Sequence, residues 1–227
     1  MTNKLLVNLE IGPKLKRVVA VAPDWPGLER GGKTEAEALD KIHSYLPRYE
    51  RVANLAGLRA EFATIDGVEV VERYQGIGST DFWGISFAFS TIDKEEISSE
   101  DLKRELSLMR ACWKRFDLVR ARVSAEMKKG PRGGGRDRDR IILHTMGVEQ
   151  DWAKKVGVKT PEYNSVPDAE VIRAYRNTYC AAVRAFHSEG KPARNWPLRF
   201  LIRHTAFHTM DHTWEMEDND LTDPSSS

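Results

Sequence analysis

The spacing of apolar residues changes once along this chain, close to residue 98, and that change constrains the fold more than any other feature. Before it, apolar residues alternate, as in Leu5, Val7 and Leu9, which is the period of a half-buried β-strand. After it, they recur at intervals of three and four residues, which is the period of amphipathic helices. The sequence therefore predicts an α+β protein, with a small sheet domain first and a helical domain second.

Residues 1–75 predict a small antiparallel sheet with one helix. Alternation over residues 5–9 and an apolar run over 17–22 predict two strands, and Gly12-Pro13 between them favours a hairpin. The valines at 68–71 predict a later strand that returns to the same sheet.

The helix of this first domain is predicted by its start and stop signals. Thr34 is followed three residues later by Glu37, which is the pattern of a capping box. We therefore expect a helix to begin near Glu35 and to end or kink at Pro47.

Residues 76–97 are expected to connect the two domains, with a short strand where apolar residues alternate over 85–89. Residues 98–220 predict four helices of bundle length in succession, each with an apolar stripe. Their breaks fall at glycine-containing segments: Gly130–Gly135, Gly157 and Gly190. Such a succession is typical of an up-and-down or crossover four-helix bundle.

Composition excludes some classes of protein. The formal charge is +1 with acidic and basic residues intermixed, so no nucleic-acid partner is expected. No apolar run approaches the roughly 20 residues of a membrane span, so no membrane partner is expected either. Cys112 and Cys180 lack C-x-x-C spacing and are interpreted as reduced core thiols, which favours a cytoplasmic location. A small-molecule substrate is expected, and a homodimer stays open.

Three histidines stand four residues apart in the last predicted helix: His204, His208 and His212. Neighbouring imidazoles at this spacing share one helix face and can converge on a single metal ion. Asp211 and Glu215 fall in the same polar lane, and the aromatic residues beside it predict that the lane faces the interior. Buried polar groups need partners, and zinc, nickel, iron or manganese would suit these donors.

The residues alone leave two interpretations of the histidines open. A third ligand from a facing helix would complete a metal site, and His144 is the only histidine on the second predicted helix. In the other interpretation the histidines only hydrogen-bond to Asp211 and Glu215, and His144 is a core residue. H-x-x-x-H without a glutamate between the histidines does not decide between them.

Two stretches of the second domain resemble a known family. RDRDRIILHTMGVEQDWAKKVG resembles the second helix of DinB-like four-helix bundles, where a histidine is followed five residues later by a glutamate, as His144 is by Glu149. WPLRFLIRHTAFHTMDHTWEMED resembles their last helix. The resemblance covers about residues 98–218. It implies that His144, His208 and His212 bind a divalent metal.

By this resemblance we expect a metal-dependent enzyme that activates a thiol or water, with S-transferase, isomerase or hydrolase-type chemistry. Glu149 is expected to orient a ligand or a bound water. His204 lies outside the family pattern: it either has the same role or is a polar core residue near the end of the bundle. Asp211 and Glu215 lie one turn from the predicted ligands. Either could accept a proton or hold an imidazole by its second nitrogen.

The first domain resembles the HicB-like fold, a small sheet with one helix. VVAVAPDWPGLERGGKTEAEALDKIHSYLPRY has its Pro-Gly turn before a short strand and its T-x-x-E-A helix start, and the resemblance spans about residues 4–75. HicB-like domains occur in antitoxins, but the chain shows no partner-binding signature, so a scaffold or lid is expected. The alternative is a non-catalytic binding or regulatory protein in which this domain recognises a partner and any metal is structural. Four protein ligands around the ion would favour that alternative.

A glycine-rich turn offers a second candidate site. Gly133–Gly135 is followed by Arg136, Arg138 and Arg140 at a helix start, where free backbone N–H groups and the helix dipole attract anions. The other interpretation is an interhelical turn with solvated charges.

Overall fold

The computed structural model describes residues 3–130 and 133–222, which form an α+β fold. The strands are β1 (Asn3–Ile11), β2 (Val18–Val21), β3 (Glu29–Gly32) and β4 (Ile65–Gln75). The helices are α1 (Glu35–Ser44), α2 (Leu46–Leu55), α3 (Arg59–Phe62), α4 (Gly78–Trp83), α5 (Thr91–Lys94), α6 (Ser99–Arg120), α7 (Arg138–Ala153), α8 (Ala169–Ser188) and α9 (Leu198–Asp218), and a 3-10 turn (Lys154–Val156) follows α7. Within these described ranges, no helix has the length and apolar character to cross a membrane.

The sheet is mixed, so the predicted all-antiparallel sheet is wrong in one respect. Its strand order is β3-β2-β1-β4, with β1–β2 and β2–β3 antiparallel and β4 parallel to β1. The antiparallel β1–β2 pair is the predicted hairpin. Because α1 to α3 carry the chain back across the sheet between β3 and β4, β4 runs in the same direction as β3 and therefore as β1.

Helix α1 begins at Glu35 as predicted. The Thr34 hydroxyl accepts a hydrogen bond from the Glu37 N–H at 3.1 Å, while the Glu37 carboxylate accepts from the Lys33 N–H at 2.8 Å. Pro47 lies in the first turn of α2, where a backbone N–H would have no partner within the helix. The chain therefore breaks into two helices at the predicted place.

Residues 76–97 carry the short helices α4 and α5, and the short strand predicted over 85–89 is wrong. The N–H groups of Phe87 and Ala88 donate instead to the carboxylate of Glu10 on β1, at 3.2 and 3.1 Å. The same carboxylate accepts from the Ser86 hydroxyl at 2.7 Å and is fully buried. This segment wraps around a buried carboxyl group instead of pairing with a strand.

One apolar core extends from the sheet into the long helices. The turn between β2 and β3 lies against α6 and α9, because Gly27 approaches Cys112 on α6 and Met210 on α9. The Tyr49 hydroxyl on α2 also donates to the Pro26 carbonyl at 2.7 Å. Gly27 has a φ of 101°, and a Cβ there would come within 2.9 Å of Cys112 Sγ. The sheet region and the helical region thus share a core. Both cysteines are free and buried, as predicted.

The four predicted long helices correspond to α6, α7, α8 and α9. Ser98 caps α6 by accepting from the Asp101 N–H at 3.0 Å. Both α6 and α7 pack along α9, which is buried over most of its surface. Polar side chains on α9 must therefore find their partners on neighbouring elements.

Candidate metal centre

His208 and His212 lie one turn apart on α9 and face His144 on α7. The ring centres are 4.4 Å apart for His208 and His212, 4.9 Å for His144 and His212, and 5.3 Å for His144 and His208. One nitrogen from each ring lies within 4.8 Å of the others. The structure thus brings together three imidazoles that the sequence separates by up to 68 positions (212 − 144).

The two imidazoles of α9 are spaced like two ligands of one ion. Their Nε2 atoms are 3.1 Å apart. With metal–nitrogen bonds of about 2.0–2.1 Å, two ligand nitrogens lie about 3.0 Å apart at a right angle and about 3.4 Å apart in a tetrahedron. His144 is exposed, so its side of the cluster is open to solvent.

Glu215 stands behind His212 and orients it. Its Oε2 lies 2.6 Å from His212 Nδ1, and Arg136 donates to the same oxygen at 2.8 Å. Burial alone would raise the pKa of Glu215, but the hydrogen bond to His212 and the Arg136 guanidinium hold it below its usual range. An ionised carboxylate at Nδ1 favours a proton there, which leaves the Nε2 lone pair free to face His208.

Burial keeps two of these imidazoles neutral. It lowers the pKa of His208 to about 2, with further lowering by His212 and His144. It also lowers the pKa of His144 to about 4, reinforced by His212 and Arg136. Neutral imidazole is the form that binds metal ions.

His204, the third histidine of the sequence pattern, lies apart from this convergence. Five aromatic rings surround it: Phe87, Trp152, Trp196, Phe200 and Phe207. Neither ring nitrogen has a hydrogen-bond partner among the described residues, and burial lowers its pKa to about 3. Trp152 contacts both histidines: its ring centre lies 4.6 Å from that of His204 and 5.1 Å from that of His208. His204 is buried.

Glu149, predicted to support the site, faces α6 and α8. Its carboxylate accepts from the Trp113 indole N–H at 2.6 Å and lies 3.8 Å from Arg176 Nε. Five residues correspond to about 140° around a helix, so Glu149 and His144 point in different directions. Burial raises the pKa of Glu149 to about 7.

Asp211, predicted as a proton acceptor, faces the sheet. It accepts from Arg30 on β3 at 2.8 Å. The Arg30 guanidinium lies between the rings of Tyr45 and Trp214, 3.9 and 4.0 Å from their centres. Because adjacent helical residues point about 100° apart, Asp211 joins the helix–sheet contact while His212 faces α7.

Sequence reasoning left Arg136 as either an anion ligand or a solvated charge in a turn, and it missed the contact of Arg136 with Glu215. Arg138 beside it donates to Asp139 at 2.8 Å, and Pro131 and Arg132 of that turn lie outside the described residues. The signal that could have identified Arg136 is its position directly before the helix that carries His144.

No family model, curated protein or solved structure matches this chain. The DinB-like and HicB-like resemblances therefore stay predictions, and the geometry of the histidine cluster is what bears on function.

Proposed function

We propose that the chain is a metal-dependent enzyme in which His144, His208 and His212 hold one divalent ion. The observation that carries this proposal is the convergence of three imidazoles from two helices, with one nitrogen of each within 4.8 Å of the others. Three imidazoles, one of them backed by a carboxylate, are a donor set that fits zinc, nickel, iron or manganese.

In this proposal Glu215 is a positioning residue. It holds the Nδ1–H of His212, while Arg136 keeps its carboxylate ionised and in place. Asp211 has no role at the metal in this proposal, because its carboxylate is hydrogen-bonded to Arg30 on β3. The chemistry supplied by such an ion when bound is Lewis-acid activation of a thiol, a water or a substrate oxygen.

The exposed position of His144 favours an enzyme over a structural ion. A structural site is closed by four protein ligands, whereas a catalytic site keeps a position for substrate. Three residues make up the converging group among the described residues, and one of them faces solvent. We further propose a DinB-like bundle of α6 to α9, with the sheet region as a HicB-like scaffold, acting in the cytoplasm on a small molecule.

Elemental analysis of the protein purified without chelators tests the metal proposal. We expect about one divalent ion per chain, and loss of most of it in His208→Ala with the helices still folded, because apolar stripes hold α9 in place. His43→Ala is the matched control, since His43 is exposed on α1. Wild-type protein that neither contains nor takes up a divalent ion would refute the proposal.

The reaction class needs a second measurement. Metal-loaded protein is screened for transfer of low-molecular-weight thiols to electrophiles and for hydrolysis of esters and amides. Turnover that His208→Ala abolishes and His43→Ala preserves supports the enzyme. A tightly bound ion without any turnover supports the alternative of a structural metal in a binding protein.

A further inference from the structure

The tip of the β1–β2 hairpin and helix α4, which Asp81 ties together, expose three large apolar side chains. Leu15 is 75% exposed, Phe82 71% and Trp83 65%. The rings of Phe82 and Trp83 pack edge to face with their centres 4.5 Å apart. We refer to Leu15, Phe82 and Trp83 as the apolar tip. Exposed aromatic residues in a cluster mark an interaction surface more often than isolated ones do.

The apolar tip is held in a fixed shape. The Asp81 carboxylate accepts from the N–H of Lys14 at 2.7 Å and from that of Lys16 at 2.8 Å, which ties the hairpin to α4 on both sides of Leu15. Gly12 allows this approach, because a Cβ there would lie 2.1 Å from Asp81 Oδ1. The tip is therefore ordered before any partner binds.

Leu15 occupies a backbone conformation that does not suit it. Its φ is 54°, in the left-handed region that glycine or asparagine adopts with less strain. A leucine that is both strained and exposed gains nothing for the folded state from its side chain. Strain of this kind is concentrated at functional surfaces.

Cations surround the apolar tip. Lys14 and Lys16 are exposed on either side of Leu15, and the Arg17 side chain lies against Gly84, directly after Trp83. A two-fold dimer through this surface would place each cation near its own copy, and like charges repel. The partner is therefore expected to be negatively charged.

The size of the tip points in the same direction. Large aromatic side chains bury about 150–250 Å² each, so the three exposed residues offer on the order of 400 Å². A stable protein complex buries about 800 Å² on each partner. A lipid interface accepts protruding apolar side chains without a matching pocket, which a protein partner would have to supply.

We propose that the apolar tip inserts into the surface of a membrane that contains anionic lipid, with Lys14, Lys16 and Arg17 at the level of the headgroups. Tryptophan and phenylalanine suit this interface, and cations near it are attracted to anionic leaflets. The contact is peripheral and needs no spanning segment. It revises the expectation of no membrane partner, which depended on the lack of a long apolar run, and it is independent of the metal site.

Vesicle flotation with the full-length protein tests the proposal. We expect binding to phosphatidylcholine vesicles with about 30 mol% phosphatidylserine, weak binding without it, and release at high salt. Leu15→Gly should lower the bound fraction several-fold with the fold intact, because glycine accepts the left-handed backbone. Leu118→Ser is the matched control, since Leu118 is 49% exposed on α6. It should bind like the wild type.

Three outcomes would overturn the proposal. The first is no binding to either vesicle. The second is binding that Leu15→Gly and a Phe82→Ser/Trp83→Ser double variant leave unchanged. The third is a concentration-dependent dimer in sedimentation that Leu15→Gly dissociates, because the tip would then be an interface between copies of the chain.

Discussion

Two polar clusters on α9 differ in how their buried polar groups are paired. Around Arg203, the guanidinium donates twice to Asp93, both at 2.7 Å, and also to Glu29 at 2.9 Å and to Ser86 at 3.2 Å. Around His208, one turn and a half further along the helix, the imidazole nitrogens face other imidazole nitrogens. In the first cluster two carboxylates match one guanidinium, whereas the second brings nitrogens of three imidazoles within 4.8 Å of one another.

The Arg203 cluster holds elements of the fold together, whereas the histidine cluster is the one that we propose binds a ligand. Arg203 connects α9 to β3 and α5, and its donors are engaged by protein atoms. Burial alone would raise the pKa of Asp93, but Arg203 holds it below its usual range, so the charge pair persists. The histidine cluster has no opposite charge at its centre. We propose that a cation from solution completes it.

The largest effect on stability is expected when the Arg203 cluster is broken. Arg203→Met leaves Asp93 and Glu29 buried without their cation, so we expect a loss of about 3–5 kcal/mol in the free energy of unfolding. Urea denaturation measures it. Arg59→Ala is the control, because the Arg59–Glu50 pair is exposed and such pairs contribute at most about 1 kcal/mol. Equal losses in both variants would contradict the contrast between the clusters.

Glu149→Gln tests whether Glu149 belongs with the buried structural groups. Burial raises its pKa from the usual 4.5 to about 7 in the folded state, so its contribution to stability is present below pH 4.5 and is lost as pH rises towards 7. The loss amounts to at most about 3 kcal/mol. Glutamine should remove this pH dependence between pH 4.5 and 7, measured by urea denaturation at several pH values. Reduced metal content in this variant would place Glu149 with the histidines instead.

Glu215→Gln tests the orientation of His212. A weaker partner at Nδ1 should lower the affinity for zinc about 10- to 100-fold, or about 1.4–2.7 kcal/mol. Competition with a chromophoric chelator measures this change. Asp211→Asn is the matched control one turn away, and it should bind zinc like the wild type. Equal affinity in Glu215→Gln and wild type would show that the carboxylate does not position the ligand.

His204→Phe should have the smallest effect. Both nitrogens of His204 lack partners in an aromatic surrounding, so an apolar ring of similar shape is expected to stabilise the protein by about 1 kcal/mol. Thermal unfolding measures the gain, and elemental analysis should find the metal content unchanged. Loss of metal would instead show that His204 belongs to the site.

The sequence predicted the helices well because their signals are local. Thr34 and Glu37 mark the start of α1, Pro47 marks its break from α2, and Gly157 and Gly190 follow the ends of α7 with its 3-10 turn and of α8. Helix α6 instead ends at Arg120, well before Gly130. The i, i+4 spacing alone also placed His208 and His212 on one face of α9. These features depend on backbone periodicity and capping, which act within a few residues.

Tertiary structure decided everything that depends on partners distant in the sequence. The parallel direction of β4 follows from a crossover, and the segment 86–88 bonds to Glu10 on β1 instead of forming a strand. Asp211 shares a polar lane with the histidines on a helical wheel, yet its carboxylate accepts a hydrogen bond from Arg30 on β3. A wheel gives the angle of a side chain, but only the neighbouring elements determine what it meets.

The same division holds for the candidate site and for the apolar tip. By itself the sequence determined that two imidazoles stand one above the other on an amphipathic helix, because helical geometry is a property of the local chain. Only the packing of α7 against α9 brought His144 to them, and only the Asp81 contact joined the hairpin tip that carries Leu15 to the helix that carries Trp83. Such contacts depend on long-range packing, whose free energy is shared among residues that no local pattern connects.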